Sequence, residues 1–486
     1  MISTRQDLRV LAATFAALLL MLFVTACGSD SAQPQPYGHA GRWITDDVGR
    51  VVTFHGVNMV NKLPPYDPAG VGFGDDDVAL LVREGINAVR VGVLWAGLEP
   101  SAGQYNDAYL DSIAATVSML HAAGITSLLD MHQDGYGVAF NGDGAPAWAT
   151  LTDDLPIEPL KAFPLDYATN AGLQRAYDNF WANKPGPGGV GLQDRYAAAW
   201  RHIAERFRDT PGLLGYELMN EPFPGSPWKQ CEQACPELDA NVLTPFSRKM
   251  LQAIRMADRS HFVWYEPWVL FDAGADTRVG PLDDPLVGLS FHDYDTKDLD
   301  KPLHNADAHS ERTTDALLMT ELGATTDASL VTNLMAAADR AMASPIYWAY
   351  ANNAPFPIPP GVGVASPREQ GLVLDPGQPL TGNNVQTAIW NALVRPYPQA
   401  VAGTPLRWSY DPDARVFDFV YANSRAGGGD FTKDLETVVF VPARNYSAGY
   451  AATVQGGRVV SAANDSRLRV VADGGAPEVT IHIAPQ

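Results

Sequence analysis

Two glutamates in this sequence each follow an apolar run that is typical of a buried strand. Glu221 ends the stretch LLGYELMNE, and Glu321 ends ALLMTE. A core strand gains nothing from a lone acid at its tip, so each carboxyl needs a cationic partner or a chemical task. Two carboxyls about 5–5.5 Å apart hydrolyse glycosidic bonds with retention, one as nucleophile and one as proton donor. The pair therefore predicts glycoside hydrolysis, provided that the fold brings the two acids together.

Closeness would also set the protonation of the two acids. Like charges cannot both ionise cheaply, so one carboxyl stays protonated near neutral pH and can serve as the acid. The ordinary explanation for a buried glutamate is an ion pair, and Arg90 is the candidate partner, which would make it an orienter of one acid. An ion pair alone would not account for the other polar and aromatic residues at the same strand ends. A catalytic role for the two glutamates is therefore favoured.

The elements that must position these acids are strand-like apolar segments alternating with amphipathic, helix-like ones. The strand-like segments are VVTFHGVNM, INAVRVGVLW, ITSLLDMHQ, LLGYELMN, HFVWYEPW, LVGLSFHDY, ALLMTEL and SPIYWAY. This alternation predicts an α/β fold, a (β/α)8 TIM barrel whose active site forms at the C-terminal strand ends. A doubly wound sheet is the competing arrangement, but the glycine-rich phosphate turn usual after its first strand is missing from the sequence.

The predicted strand ends carry further polar and aromatic side chains. They are Arg90, His132, Asp134, Asn220, Glu266, His292, Tyr294 and Trp348. His292 and Tyr294 are two residues apart and so share one face of a strand. Glu266 ranks third among the acids, with a loop cation as its expected partner. Trp348 could pack in the core or stack on a sugar ring.

The sequence pattern and the composition limit the possible domain organisation, partners and cofactors. Residues 42–397 are assigned to the barrel, and 398–486, with short alternating runs broken by Gly, Asn and Asp, to a smaller C-terminal antiparallel β-sandwich. The net charge of −21 argues against nucleic acid as a partner. The sequence has neither zinc spacing nor a calcium loop, so we expect no metal or organic cofactor. A monomer is expected.

The N-terminus predicts export. Arg5 and Arg9 precede an apolar stretch that is too short for a comfortable transmembrane span, and VTAC resembles a bacterial lipobox. Residues 1–26 are predicted to be a signal peptide cut before Cys27, whose lipidation would anchor the protein on the outer face of the cytoplasmic membrane. Residues 27–41 would form a tether. The alternative is an ordinary secretory signal with a chance cysteine.

Export also affects the interpretation of the remaining cysteines. Cys231 and Cys235 lie in the segment WKQCEQACPEL, where no histidine is near enough to complete a metal site. A local disulfide is the expected state outside the cytosol, and two free thiols are the alternative.

Several motifs carry a family resemblance. Asn220-Glu221-Pro222 and LLMTELGATT resemble glycoside hydrolase family 5. GVNMVNKLPPY, DMHQDGYG, YELMNEPFPG and TELGATTD look like its endoglycoceramidase branch, whose members cleave the β-glycosidic bond between a glycan and ceramide. The resemblance covers the chain from about residue 42 and implies a barrel followed by a β-sandwich.

By position, the resemblance implies that Glu221 is the general acid/base and Glu321 the nucleophile. Asn220 would hold the sugar 2-hydroxyl in the transition state. His292 and Tyr294 would orient the region of the nucleophile.

The resemblance also implies the glycan contacts. Lys62, His132 and Asp134 would bind glycan hydroxyls, and Trp348 would form the floor of the sugar subsite. Aromatic loop residues are candidates to line a groove for an acyl chain: Phe140, Trp148, Phe223, Trp228 and Phe271.

The function predicted from these features is a retaining β-glycosidase acting on glycosphingolipids. One alternative keeps the chemistry and changes the leaving group, giving a β-glucosidase on steryl or alkyl glucosides. Another is a non-catalytic lipoprotein that binds glycan or lipid, against which the presence of both acids weighs.

Overall fold

The structure is a computed structural model that describes residues 37–431 and 435–486. The predicted signal peptide, Cys27 and most of the predicted tether lie outside the described residues. Within them, none of the helices is both long and apolar enough to span a bilayer. Pro36–Gln486 form one compact unit, so the division into two domains at residue 397 stays a prediction.

The chain begins with three short strands that do not belong to the barrel: β1 (Tyr37–Ala40), β2 (Trp43–Asp46) and β3 (Val51–Val52). Tyr37 and Ile44 pack beneath the first residues of the barrel strands, among them Ala88 and Phe262. The Tyr37 hydroxyl lies 2.8 Å from that of Thr126, where a barrel strand starts. These strands therefore cover the amino-terminal end of the barrel.

Eight parallel strands form the barrel, as the sequence predicts. They are β4 (Gly56–Met59), β5 (Ala88–Val93), β6 (Thr126–Met131), β7 (Leu213–Glu217), β8 (Phe262–Tyr265), β9 (Val287–Asp293), β10 (Ala316–Leu322) and β11 (Ile346–Ala351). The sheet runs from β10 in descending order to β4 and then β11. Bridges between Met319 and Pro345 and between Gly323 and Trp348 join its two outer strands. Both faces of each strand are buried, which explains the continuous apolar runs in the sequence.

Helices surround the strands. Those of seven or more residues are α1 (Asp75–Arg83), α2 (Asp107–Ala122), α3 (Ala171–Trp181), α4 (Leu192–Phe207), α5 (Thr244–Arg255), α6 (Lys301–Thr313), α7 (Ala328–Ala341) and α8 (Thr387–Leu393). α4 buries Tyr196, Trp200 and Phe207 at helical spacing against the barrel. The Asp327 side chain caps α7 by accepting from the first backbone N–H groups.

The C-terminal strands form two antiparallel sheets. They are β12 (Tyr397–Val401), β13 (Thr404–Asp411), β14 (Val416–Ala422), β15 (Glu436–Phe440), β16 (Tyr450–Gln455), β17 (Gly457–Val459), β18 (Arg467–Ala472) and β19 (Glu478–Pro485). One sheet has the order β1-β2-β3-β12-β15-β18-β17, and the other β13-β14-β19-β16. Phe417, Phe419, Val470 and Ile481 belong to the buried apolar core of these strands. The predicted antiparallel β-module is confirmed, with three N-terminal strands added to it.

Candidate active site

Arg90 on β5 lies at the centre of the polar cluster inside the barrel and is fully buried. Its guanidinium contacts Asp130, Glu217, Glu266 and Glu321, and the side-chain oxygens of Asn58 and Asn220. Nη1 donates to Glu321 Oε1 over 2.6 Å, and Nη2 donates to Asn220 Oδ1 over 2.8 Å. Burial opposes the charge, yet the carboxylates raise the pKa of Arg90 well above its usual value. This permanent cation therefore orients Glu321.

Glu221, just after β7, and Glu321, on β10, face the same pocket. His292 Nδ1 lies 2.9 Å from Glu221 Oε1 and 3.7 Å from Glu321 Oε2. The Tyr294 hydroxyl donates to Glu321 Oε2 over 2.8 Å. The two carboxyls thus lie on either side of one histidine nitrogen.

The backbone of Glu221 is strained. Its φ of 42° lies in the left-handed region, which residues with a side chain seldom adopt. The surrounding contacts hold this conformation: the Glu221 N–H donates to Glu266 Oε2 over 2.9 Å, and Gln133 Nε2 donates to the Glu221 carbonyl over 3.0 Å. Strain that the surroundings enforce in this way is concentrated at functional sites.

The cation that pairs with Glu266 is Arg90, which lies on a barrel strand, so the prediction of a loop cation as its partner was wrong.

Burial sets the protonation of the two acids. Burial, and then the charge of Asp134, raise the pKa of Glu221 to about 7. Burial also raises the pKa of Glu321, while His292 and Arg90 oppose that rise. For His292, burial outweighs the neighbouring carboxylates and lowers the pKa to about 4, so the ring is neutral near pH 7. Glu221 thus carries a proton over part of the neutral range, as a general acid requires.

A second cluster of charged side chains, centred on Lys62, also borders the pocket. Lys62 forms ion pairs with Asp134 and, over 3.7 Å, with Asp143, and its Nζ lies 4.5 Å from the ring centroid of Trp348. Burial opposes the lysine charge, but the two aspartates raise its pKa. Trp348 borders the pocket, and its Nε1 donates to Gln370 Oε1 over 2.8 Å.

His132 connects this group to the centre of the barrel. Its Nδ1 lies 2.7 Å from Asp130 Oδ2, its Nε2 lies 3.5 Å from Asp134 Oδ2, and its ring stacks on Trp348 at 5.1 Å. Burial and the Lys62 charge oppose protonation, but the two carboxylates prevail and raise the pKa of His132 to about 9. The pocket therefore offers cationic donors to sugar hydroxyls.

The catalytic and glycan-binding residues predicted from sequence line this pocket, except Arg90 and His292, which are fully buried. The residues that line the pocket are Lys62, His132, Asp134, Asn220, Glu221, Tyr294, Glu321 and Trp348. The pocket has a volume of about 500 Å³, which is in the range of small-molecule sites.

The outer part of the pocket is apolar. Residues from the loops after β6, β7, β8 and β11 line it: Phe163, Leu165, Phe223, Trp228, Val269, Leu270, Phe356, Ile358 and Val362. Of the predicted aromatic loop residues, only Phe223 and Trp228 are among them. Phe140 packs beside Tyr136, Trp148 beside Trp95 and Phe271 beside Phe291, so those three assignments were wrong.

Sequence reasoning missed other parts of the site. Asp143 and Asp272 are buried acids in the segments between the barrel strands. Neither ends an apolar strand-like run, so the sequence pattern did not indicate a role for them. The one signal that could have found the apolar wall is the segment APFPIPPGVGV, an uncharged apolar run placed directly after the eighth strand.

Cys231 and Cys235 form a disulfide in the loop after β7. This loop carries Trp228 at the start of a short 3-10 helix, Trp228–Cys231. The disulfide therefore lies directly behind one wall of the pocket.

Among the described residues, three groups of buried histidines and carboxylates have ligand atoms within 4.8 Å of one another: His132, Asp134 and Asp143; Glu217, Glu266 and His292; and Glu221, Asp272 and His292. Such donors could hold a cation. In the first two groups a side chain of the protein already supplies positive charge, Lys62 in the first and Arg90 in the second.

Comparison with known proteins adds to this geometry. The model of cellulase (glycosyl hydrolase family 5) matches residues 48–354, and that of the glycoside hydrolase family 5 C-terminal domain matches residues 395–484. The chain belongs to glycoside hydrolase family 5. Family 5 membership makes it a glycoside hydrolase, and it confirms the resemblance seen in the sequence motifs.

Similar members of family 5 are endoglycoceramidases. Endoglycoceramidase I of Rhodococcus hoagii is 32% identical over 469 residues, covering 91% of this chain and 87% of that protein. Endoglycoceramidase of Cyanea nozakii is 29% identical and covers 85% of each chain. Endo-glycoceramidase II from a Rhodococcus species, solved as a ganglioside GM3 complex, has a TM-score of 0.73 at 27% identity, covering 91% of this chain and 99% of that one. The same enzyme has been solved as a lactosyl-enzyme intermediate, with a TM-score of 0.72.

Proposed function

We propose that this family 5 hydrolase is a retaining β-glycosidase that cleaves the linkage between glycan and lipid in glycosphingolipids. The observation that carries the proposal is one pocket with two unlike parts. Its inner part holds Glu221 and Glu321 among charged hydrogen-bonding groups, and its outer part is apolar. A substrate that matches both parts has a sugar joined to a hydrophobic chain, with the scissile bond at their junction.

In the first step, Glu321 attacks the anomeric carbon while Glu221 protonates the glycosidic oxygen, so that the lipid alcohol departs. The sugar is then esterified to Glu321. In the second step, water loses a proton to Glu221 and attacks the same carbon, which frees the sugar and restores the Glu321 carboxylate. Both steps invert the anomeric centre, so the overall result is retention.

The neighbouring side chains support these roles. Arg90 and Tyr294 donate to separate oxygens of Glu321 and hold the attacking carboxylate in place. Asn220 accepts from Arg90 and donates to the Gln133 carbonyl, and these contacts support its proposed role in binding the sugar 2-hydroxyl. Trp348 and the Lys62 ammonium supply an aromatic face and a charged donor for the glycan.

The similarity to endoglycoceramidases supports the same assignment, since their names specify glycan–ceramide cleavage and one structure of this kind carries a ganglioside. The test is product identification on a panel of glycolipids. Release of intact oligosaccharide together with ceramide is the expected result. Activity confined to steryl or alkyl monoglucosides would replace this substrate assignment with the alternative β-glucosidase, and glycolipid binding without turnover would overturn the enzymatic proposal.

Trp228 provides a test of the apolar part. Replacing Trp228 with alanine removes aromatic surface from the wall of the pocket, so we expect kcat/KM on a glycosphingolipid to fall about tenfold, mostly through KM. The same variant should hydrolyse a soluble methyl lactoside at the wild-type rate, because that substrate has no chain to bury. The comparison variant for W228A is Trp181→Phe, which leaves Trp228 unchanged. Trp181 donates its Nε1 hydrogen to the Phe223 carbonyl. Equal losses of W228A on both substrates would contradict the assignment of this wall.

We further propose that the protein is exported and held at the cell envelope by lipid on Cys27, a residue outside the described part of the chain. The lipobox-like segment supports this. The mature N-terminal peptide should begin at Cys27 and carry acyl mass, measured by mass spectrometry. A Cys27→Ser variant should lose the acyl mass and leave the membrane fraction. An unmodified peptide cut at another position would indicate an ordinary secretory signal.

A further inference from the structure

Asp272 is a buried carboxyl at the pocket that the scheme above leaves unused. It belongs to the short 3-10 helix Val269–Ala273, which follows β8, and it is 7% exposed. Its backbone carbonyl accepts the Tyr294 N–H over 3.0 Å, which fixes this helix against the end of β9. Its Oδ2 atom finds no ordinary hydrogen-bond donor among the described residues.

The Asp272 carboxyl lies against Glu221. Ligand-type atoms of Glu221, Asp272 and His292 are all within 4.8 Å of one another. His292 Nδ1 is 2.9 Å from Glu221 Oε1 and 3.7 Å from Asp272 Oδ2. Two carboxylates this close and this buried repel each other when both are ionised, so the pair is more stable when it keeps one proton.

The charges around this pair come from every element packed against it. The negative groups are Asp134, Glu266, Asp293 and Glu321, and the positive or ionisable groups are Lys62, Arg90, His132 and His292, with the Tyr294 hydroxyl beside them. Burial, followed by the charges of Glu221 and Glu321, raises the pKa of Asp272 well above its usual value. The surroundings therefore favour retention of a proton by the pair.

We propose that Asp272 is a positioning residue that shares one proton with Glu221 and so lets Glu221 act as acid in one step and as base in the next. The inference rests on the proposed function and deepens it. In the first step the shared proton lies on Glu221 and passes to the glycosidic oxygen as the carbon–oxygen bond to the lipid breaks. In the second step Glu221 takes a proton from the attacking water, and the pair again holds one proton.

The test is the pH dependence of kcat/KM in Asp272→Asn. At the alkaline limb Asp272 is ionised, and its negative charge holds the last proton on Glu221. The amide keeps the size of the side chain but carries no charge, so Glu221 loses that proton at a lower pH. The alkaline limb of kcat/KM on a lipid or alkyl glycoside should therefore move down by about one pH unit. Asp272→Glu, which restores a carboxyl, should move the limb back toward the wild-type position. Asp239→Asn is the matched control, because Asp239 is a buried acid outside the pocket lining that accepts the Arg278 N–H over 2.6 Å.

A leaving-group comparison separates proton sharing from a structural role. A dinitrophenyl glycoside departs without protonation, so D272N should form the glycosyl-enzyme from it at a rate within about threefold of wild type. An alkaline limb that does not move in D272N, or that moves equally in D239N, would overturn the proposal. If D272N does not fold, the limb of D272E, measured in the same way, decides the question. A wild-type protein that hydrolyses none of these glycosides would instead refute the proposed function.

Discussion

Replacing Glu321 with glutamine should abolish turnover and leave the fold intact. The amide keeps the shape of the side chain but is a poor nucleophile, so the glycosyl-enzyme cannot form. We expect kcat to fall by about 10⁴-fold or more. Circular dichroism and thermal unfolding of the same preparation should match wild type, because the amide still fills the space between Arg90 and Tyr294.

The chemical identity of the nucleophile can be tested with a smaller side chain. In Glu321→Gly the cavity left by the carboxylate can admit azide, which should restore cleavage of an activated glycoside and give a glycosyl azide of inverted configuration. Glu369→Gln is the matched control, because Glu369 is an exposed glutamate in the short 3-10 helix Pro367–Gln370, which follows β11. A wild-type rate for E321Q would remove this residue from the mechanism.

Replacing Arg90 with methionine should destabilise the protein more than any other change discussed above. The guanidinium is fully buried and faces four carboxylates, Asp130, Glu217, Glu266 and Glu321. Without it these charges lie uncompensated in a medium of low polarity, so we expect the free energy of unfolding to drop by about 3–5 kcal/mol. Urea unfolding followed by tryptophan fluorescence measures this loss.

An exposed arginine supplies the comparison. Arg206 pairs with Asp111 over 3.1 Å, with side-chain exposures of 42% and 68%, so Arg206→Met should cost less than about 1 kcal/mol. Similar losses in R90M and R206M would mean that the carboxylates around Arg90 are not charged in the folded protein. Activity of R90M on any glycoside should also be lost, because Glu321 loses a donor that orients it.

The barrel and the inner part of the site are predictable from the sequence for one physical reason. Strands buried on both faces must be continuously apolar, so a polar residue that ends such a run marks the mouth of the barrel. His132, Glu221 and Glu321 follow this rule, and the structure places all three around one pocket. The parallel topology, rather than any local propensity, is what brings them together.

Features that depend on contacts between distant segments were not predictable. VVTFHGVNM reads as one strand, yet Val51–Val52 pairs with the C-terminal sheet through Ala400 and Val401, and only Gly56–Met59 enters the barrel. Nothing local in the sequence reveals that partner. The apolar pocket wall and Asp272 are similar cases, because loop side chains are placed by tertiary packing and carry no periodic signal.

The three N-terminal strands have a practical consequence for how the protein can be presented. The described chain starts at Tyr37, beneath the first residues of the barrel strands, and the pocket opens at their other end. A bead or sensor chip coupled ahead of Tyr37 would therefore hold the molecule by its base. Its mouth would then face outward, toward glycolipids displayed on vesicles or cells that approach from solution.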